Sequence, residues 1–85
     1  MSGELDTEIR AVLDQHARLS VSASQLRSGD DLFAAGMSSH ASVSVMLALE
    51  DTFDLEFPDE MLKRSVFASV TSIRVAVSQL QESPP

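Results

Sequence analysis

Residues 39–53, "SHASVSVMLALEDTF", run for 15 positions without glycine or proline, enough for about four helical turns. Ser38 or Ser39 can accept the free backbone N–H groups of a first turn. A helix of this length must bury one face, and 85 residues leave room for a single core. At 100° per residue, Val45, Met46, Leu49 and Phe53 share one arc, which is the predicted core face. Val43 and Leu47 stack one turn apart on another arc, with His40, Ser44, Glu50 and Asp51. Two readings of that pair stay open: an exposed apolar strip edged by acids and suited to docking a protein, or a pair packed beneath the preceding loop.

The rest of the chain supplies partners for that face. Leu5, Ile9, Val12 and Leu13 predict an amphipathic helix over about 4–18. From Ser20 to Asp31 the pattern lapses into Ser, Gly and Asp, predicting a long loop pinned by Val21, Leu26, Leu32 and Phe33. "FPDEMLKR" predicts a short third helix, with Pro58 in its first turn, acids near its start, and Lys63 and Arg64 near its end. Val70, Ile73, Val77 and Leu80 follow Ser69 as a cap and predict a fourth helix, ended by "ESPP". The expected fold is all-α, a small four-helix bundle, with residues 1–85 as one domain and an ordered core of about 4–81.

Composition removes several functions. The formal net charge is −7 with only six Lys and Arg, which argues against nucleic acid and anionic membranes and favours basic protein surfaces. Glu50, Asp51, Asp54, Glu56, Asp59 and Glu60 follow one another with no base among them, a run that also suits a plain solvated face. There is no cysteine, hence no disulfide, thiolate nucleophile or zinc–thiolate site. No apolar run approaches the roughly 20 residues of a membrane span. "MSGELDTEIR" lacks a basic segment followed by an apolar stretch, so the cytoplasm is the expected location.

Catalytic constellations are equally poor. A nucleophilic Ser39 needs a base, but His40 is its neighbour on a helix and points about 100° away. His16 lies on the first helix beside its apolar face. Two isolated histidines have no metal-ligand spacing, and Gly29-Asp30-Asp31 is too short for a calcium loop.

The stretch "DDLFAAGMSSHASVSVMLALEDTFDLEFPDEML" resembles the acyl carrier proteins. Its Asp31-Leu32-Phe33, Gly36-Met37 and Ser38-Ser39-His40 match the family's Asp-Leu-Phe, Gly-Leu and Asp-Ser-Leu, and "FPDE" matches the start of its third helix. The resemblance implies that Ser39 bears a covalent 4′-phosphopantetheine arm from coenzyme A, with Gly36 and Ser38 at the same site. The arm's thiol would hold cargo as a thioester, making the chain a carrier and not an enzyme. It further implies a magnesium-dependent phosphopantetheinyl transferase, a cargo-loading enzyme and downstream acyl-transfer enzymes as partners, and a monomeric carrier. The docking residues carried over are Met37, His40, Val43, Ser44, Leu47, Glu50 and Asp51.

Departures from the common pattern narrow the resemblance. Ser38 replaces Asp, His40 replaces Leu, and Ala41, Ser42 and Ser44 stand where acids are usual, which weakens docking by charge in the first turns. "GMSSHASVSVMLALEDTFDLEFPDEML" is most similar to stand-alone carriers paired with amino acid:carrier protein ligases that resemble seryl-tRNA synthetases. That subgroup implies an ATP-dependent ligase placing a small amino acid on the thiol, with His40 near the ligase. A specialised fatty-acyl or polyketide carrier is the alternative within the class, and an unmodified acidic helical adaptor is the alternative outside it.

Overall fold

The computed structural model describes residues 2–82. It contains three α-helices, α1 (Ser2–His16), α2 (Ser39–Phe53) and α3 (Val70–Glu82), with 3-10 turns at Ala23–Gln25 and Asp59–Met61. No strand occurs among the described residues. α1 packs against both α2 and α3, and one hydrophobic cluster joins them. Its fully buried members include Ile9 and Leu13 from α1, Val45 and Leu49 from α2, and Val70, Ile73 and Val77 from α3.

Local chemistry sets the helix ends. α1 starts earlier than the 4–18 spacing predicts and stops at His16, because Arg18 adopts φ 55, a left-handed conformation that cannot continue the helix. α2 has the expected limits: Ser38 is extended and its Oγ accepts from the Ala41 N–H at 3.0 Å. Ser69 and Ser72 cap α3 reciprocally, each backbone N–H donating to the other's Oγ at 3.1 Å, the logic of a capping box with serine at both positions. The terminal "SPP" lies outside the described residues.

The loop between α1 and α2 is tied down more by polar contacts than by the side chains singled out from sequence. The Arg10 guanidinium donates to the Ala23 and Leu26 carbonyls and to Ser28 Oγ, and Asp14 Oδ1 accepts from the Ala23 N–H at 2.7 Å. The Leu32 N–H donates to the Ala68 carbonyl at 2.7 Å and the Thr71 N–H to the Ser28 carbonyl at 3.0 Å, stitching the loop to the start of α3. Leu32 is buried as expected, and Leu26 and Phe33 are half-buried. Val21 is 42% exposed and pins nothing, the small Ala23 being buried in its place.

The predicted third helix is not an α-helix, so the described residues form three α-helices and not the expected four. Pro58 is extended at ψ 159, a 3-10 turn covers only Asp59–Met61, and Lys63 and Arg64 lie beyond it in a separate turn, where the Val66 N–H donates to the Lys63 carbonyl at 3.0 Å. Phe57 and Phe67 are both buried and meet edge-to-face with ring centroids 5.3 Å apart. A continuous helix would separate positions ten residues apart by about 15 Å. The segment must fold back instead.

Candidate functional site

The first turn of α2 is where the sequence places its chemistry. Ser38 spends its hydroxyl on the Ala41 N–H, so the adjacent serine is not a second cap. Ser39 is the first residue of α2 and is exposed, and its hydroxyl has no hydrogen-bond partner among the described residues. The Ser42 hydroxyl donates to the Ser39 carbonyl at 2.6 Å, holding that turn from the outside. Unsatisfied N–H groups and the positive end of the helix dipole surround the Ser39 position, and no acid occupies the first turn. Such an end favours an anion attached there.

The approach to that turn is built from residues 31–37. Asp31 Oδ1 accepts from the Phe33 N–H at 2.9 Å, and the Met37 N–H donates back to the Leu32 carbonyl at 3.0 Å. Gly36 adopts φ 117, where an L side chain is strained, and a Cβ there would meet Ser20 N at 3.2 Å. Fold geometry thus demands this glycine.

Ser39, Ser42, Val43 and Met46 share one face of α2 and line a cleft of about 330 Å³. The opposite wall is Leu62, Lys63, Arg64 and Phe67, with Phe33 at one end. The Arg64 guanidinium lies 3.9 Å from the centroid of the Phe33 ring, a cation–π contact that orients it. Neither Lys63 nor Arg64 pairs with a carboxylate among the described residues. Sequence reasoning missed this cleft: the adjacent Lys-Arg in an acidic chain was the available signal, and the helix-dipole reading absorbed it.

The docking residues named from sequence divide into three groups. His40 is exposed, Val43 is 51% and Leu47 56% exposed, and Asp51 is exposed, so the strip is not covered by the loop. Ser44 is half-buried. Met37 is 3% exposed and belongs to the core, which corrects its assignment to a docking surface. Glu50 is half-buried with Oε2 accepting from the Phe57 N–H at 2.9 Å, so one carboxylate oxygen serves the fold. On the core side Val45 and Leu49 are fully buried, Met46 and Phe53 only half-buried, and Ala41 completes the face.

Comparison with known proteins bears on the same region. Residues 8–74 match the family described as "phosphopantetheine attachment site". The chain is 41% identical over 73 residues to an aminoacyl carrier protein of Agrobacterium fabrum, covering 86% of this chain and 88% of that one. It matches a chain in the crystal structure of engineered Bradyrhizobium japonicum glycine:[carrier protein] ligase complexed with carrier protein from Agrobacterium tumefaciens and AMP. The TM-score is 0.84 and the identity 41%, with 86% of this chain and 97% of that one covered. A solution structure of an Agrobacterium tumefaciens protein superposes with TM-score 0.72 at 39% identity, covering 91% and 93% of the two chains. No helix among the described residues is long and apolar enough to cross a membrane. The match across residues 8–74, together with a relative at this identity and coverage, places the chain in the phosphopantetheine-attachment family of carrier proteins.

Proposed function

We propose that this protein is an aminoacyl carrier whose 4′-phosphopantetheine arm is attached through Ser39 Oγ. The observation that carries the reading is the division of labour between adjacent serines: Ser38 caps α2, leaving the Ser39 hydroxyl exposed at the helix N-terminus and unpaired among the described residues. Attachment forms a bond from Ser39 Oγ to the pantetheine-side phosphorus of coenzyme A, with 3′,5′-ADP leaving and the hydroxyl proton passing to the transferase. The arm supplies the thiol that this chain lacks, and cargo is held on it as a thioester. The residues present fit the group: an anion is favoured where α2 begins, and no carboxylate in that turn opposes it.

The aminoacyl cargo is supported by the Agrobacterium relative named as an aminoacyl carrier protein and by the matched carrier complexed with a glycine:[carrier protein] ligase. His40, Val43, Leu47 and Asp51 form the exposed face offered to a ligase and to later acyl-transfer enzymes. Incubation with coenzyme A, magnesium and a broad-specificity transferase is expected to raise the protein's mass by one arm. Ser39→Ala abolishes the gain and Ser38→Ala keeps it. The reverse pattern moves the site to Ser38. Subsequent loading of glycine or alanine by an amino acid:carrier protein ligase with ATP completes the reading, and loading by acyl chains alone overturns its aminoacyl part.

A further inference from the structure

We infer that Lys63 and Arg64 form a cationic contact for a carboxylate on the surface of the enzyme that loads the arm. The inference rests on attachment at Ser39 and on an aminoacyl cargo, and it adds to the exposed strip of α2 a second recognition element of opposite charge. As a whole the chain, at a formal net charge of −7, is drawn to basic partners. Locally the sign is reversed. Lys63 and Arg64 are adjacent and exposed, no acid shares the cleft lining with them, and neither has a carboxylate partner among the described residues. Of the other bases, Arg10 is spent on the first loop, Arg74 lies 3.7 Å from Asp6, and Arg18 and Arg27 stand apart from each other in the first loop. Ser39 lines the wall opposite the two cations, so an enzyme surface closing over Ser39 meets them.

The pair is held ready for such a contact. The Lys63 and Arg64 carbonyls accept from the Val66 and Phe67 N–H groups at 3.0 and 3.2 Å, and Phe67 is buried. Stacking on Phe33 fixes the plane of the Arg64 guanidinium, whose N–H groups make no hydrogen bond among the described residues. A planar fork of this kind matches a carboxylate and loses little freedom on binding one. The surroundings favour a protein over a small anion. Leu62 is exposed beside the cations and Val43 on the facing wall. An arginine on an aromatic ring, bordered by exposed apolar side chains, has the composition of an interface centre, whereas an inorganic anion gains nothing from those side chains. The occupant is therefore an enzyme surface that sets an Asp or Glu side chain beside an apolar one.

Competition between carriers separates this contact from attachment. Arm-bearing wild-type protein, prepared to completion as judged by mass, is loaded with glycine by the Bradyrhizobium japonicum glycine:[carrier protein] ligase and ATP, with the arm-free Ser39→Ala chain added as inhibitor. The arm-free chain is expected to inhibit. Adding Lys63→Glu and Arg64→Glu to it, with circular dichroism unchanged, is expected to weaken inhibition about fivefold or more at low salt. Arg64→Gln on the same background weakens inhibition about twofold, and decides alone where the double reversal disturbs the fold. Raising salt from about 0.05 to about 0.5 M brings the variant and parent inhibitors together. An arm-free chain that does not inhibit, inhibition unchanged by the variants, or a difference undiminished by salt overturns the contact and leaves attachment standing. Absence of any mass gain in the wild-type chain overturns the attachment reading, and a mass gain without glycine loading overturns the aminoacyl one; the contact falls with either.

Discussion

At its N-terminal end α2 meets solvent through Ser39, His40 and Val43, secured by one side-chain cap from Ser38. At its C-terminal end the chain turns back through Asp54 at φ 53, whose N–H donates to the Glu50 carbonyl, and the Glu50 carboxylate then accepts from the Phe57 N–H. One end has an exposed Ser39 hydroxyl with no hydrogen-bond partner among the described residues; the other ties the helix to the segment that supplies Phe57 and Phe67 to the core. The two ends are complementary, because a side chain can stay exposed at one end without loosening the fold when the helix is anchored at the other.

The largest effect separates two leucines. Leu49 is fully buried among α1 and α3 residues, and Leu49→Ala is expected to cost about 2–5 kcal/mol through lost contacts and a residual cavity. Urea unfolding followed by circular dichroism measures it. A cost below about 1 kcal/mol means that the anchored end is not where α2 is held.

Next comes the exit from α2. Glu50→Ala leaves the Phe57 N–H without its acceptor, and half-burial limits the penalty to about 1–2 kcal/mol. Glu50→Gln keeps an acceptor oxygen and is expected to recover most of that stability. If both variants lose equally, charge and not the hydrogen bond is what matters at this end. Ser38→Ala, at the open end, is expected to cost about 1 kcal/mol by removal of a helix cap, with the Ser39-dependent mass gain retained.

How far sequence reasoning reaches depends on the same contrast. α2 is legible to the residue because its start is a serine cap and its interior has no breaker, both local facts. The cap of α3 at Ser69 is legible for the same reason. The segment 57–67 is not: its charges fit a helix dipole, but a one- or two-turn helix is marginal by itself. The contact between Phe57 and Phe67 decides its path, and that is a tertiary fact. Met37 and Val21 exchange expected roles for a related reason, since irregular chain has no period from which to tell the buried side. At the candidate site, the exposure of Ser39 is legible because it opens α2 directly after its cap. The cleft is not, because it forms only when Leu62–Phe67 folds back across α2.

The smallest expected effect on stability is the most informative about function. Leu47 is 56% exposed, and Leu47→Ala is expected to change stability by no more than about 0.5 kcal/mol, in contrast to Leu49→Ala two residues on. Its consequence belongs in partner binding: exposed apolar side chains at interfaces contribute unequally, and a central one costs about 1 kcal/mol or more when truncated. That is about fivefold in affinity, so the kcat/KM of ligase loading, with the arm-bearing carrier as varied substrate, should fall by about that factor. Asp51→Asn on the same exposed face should change loading less at high salt than at low salt, as a rim charge does. Loading unaffected by Leu47→Ala but impaired by His40→Ala confines recognition to the first turn of α2. Loading impaired by both extends the interface along the strip, one helical turn past Val43, and makes the open half of α2 a recognition surface as well as the proposed place of attachment.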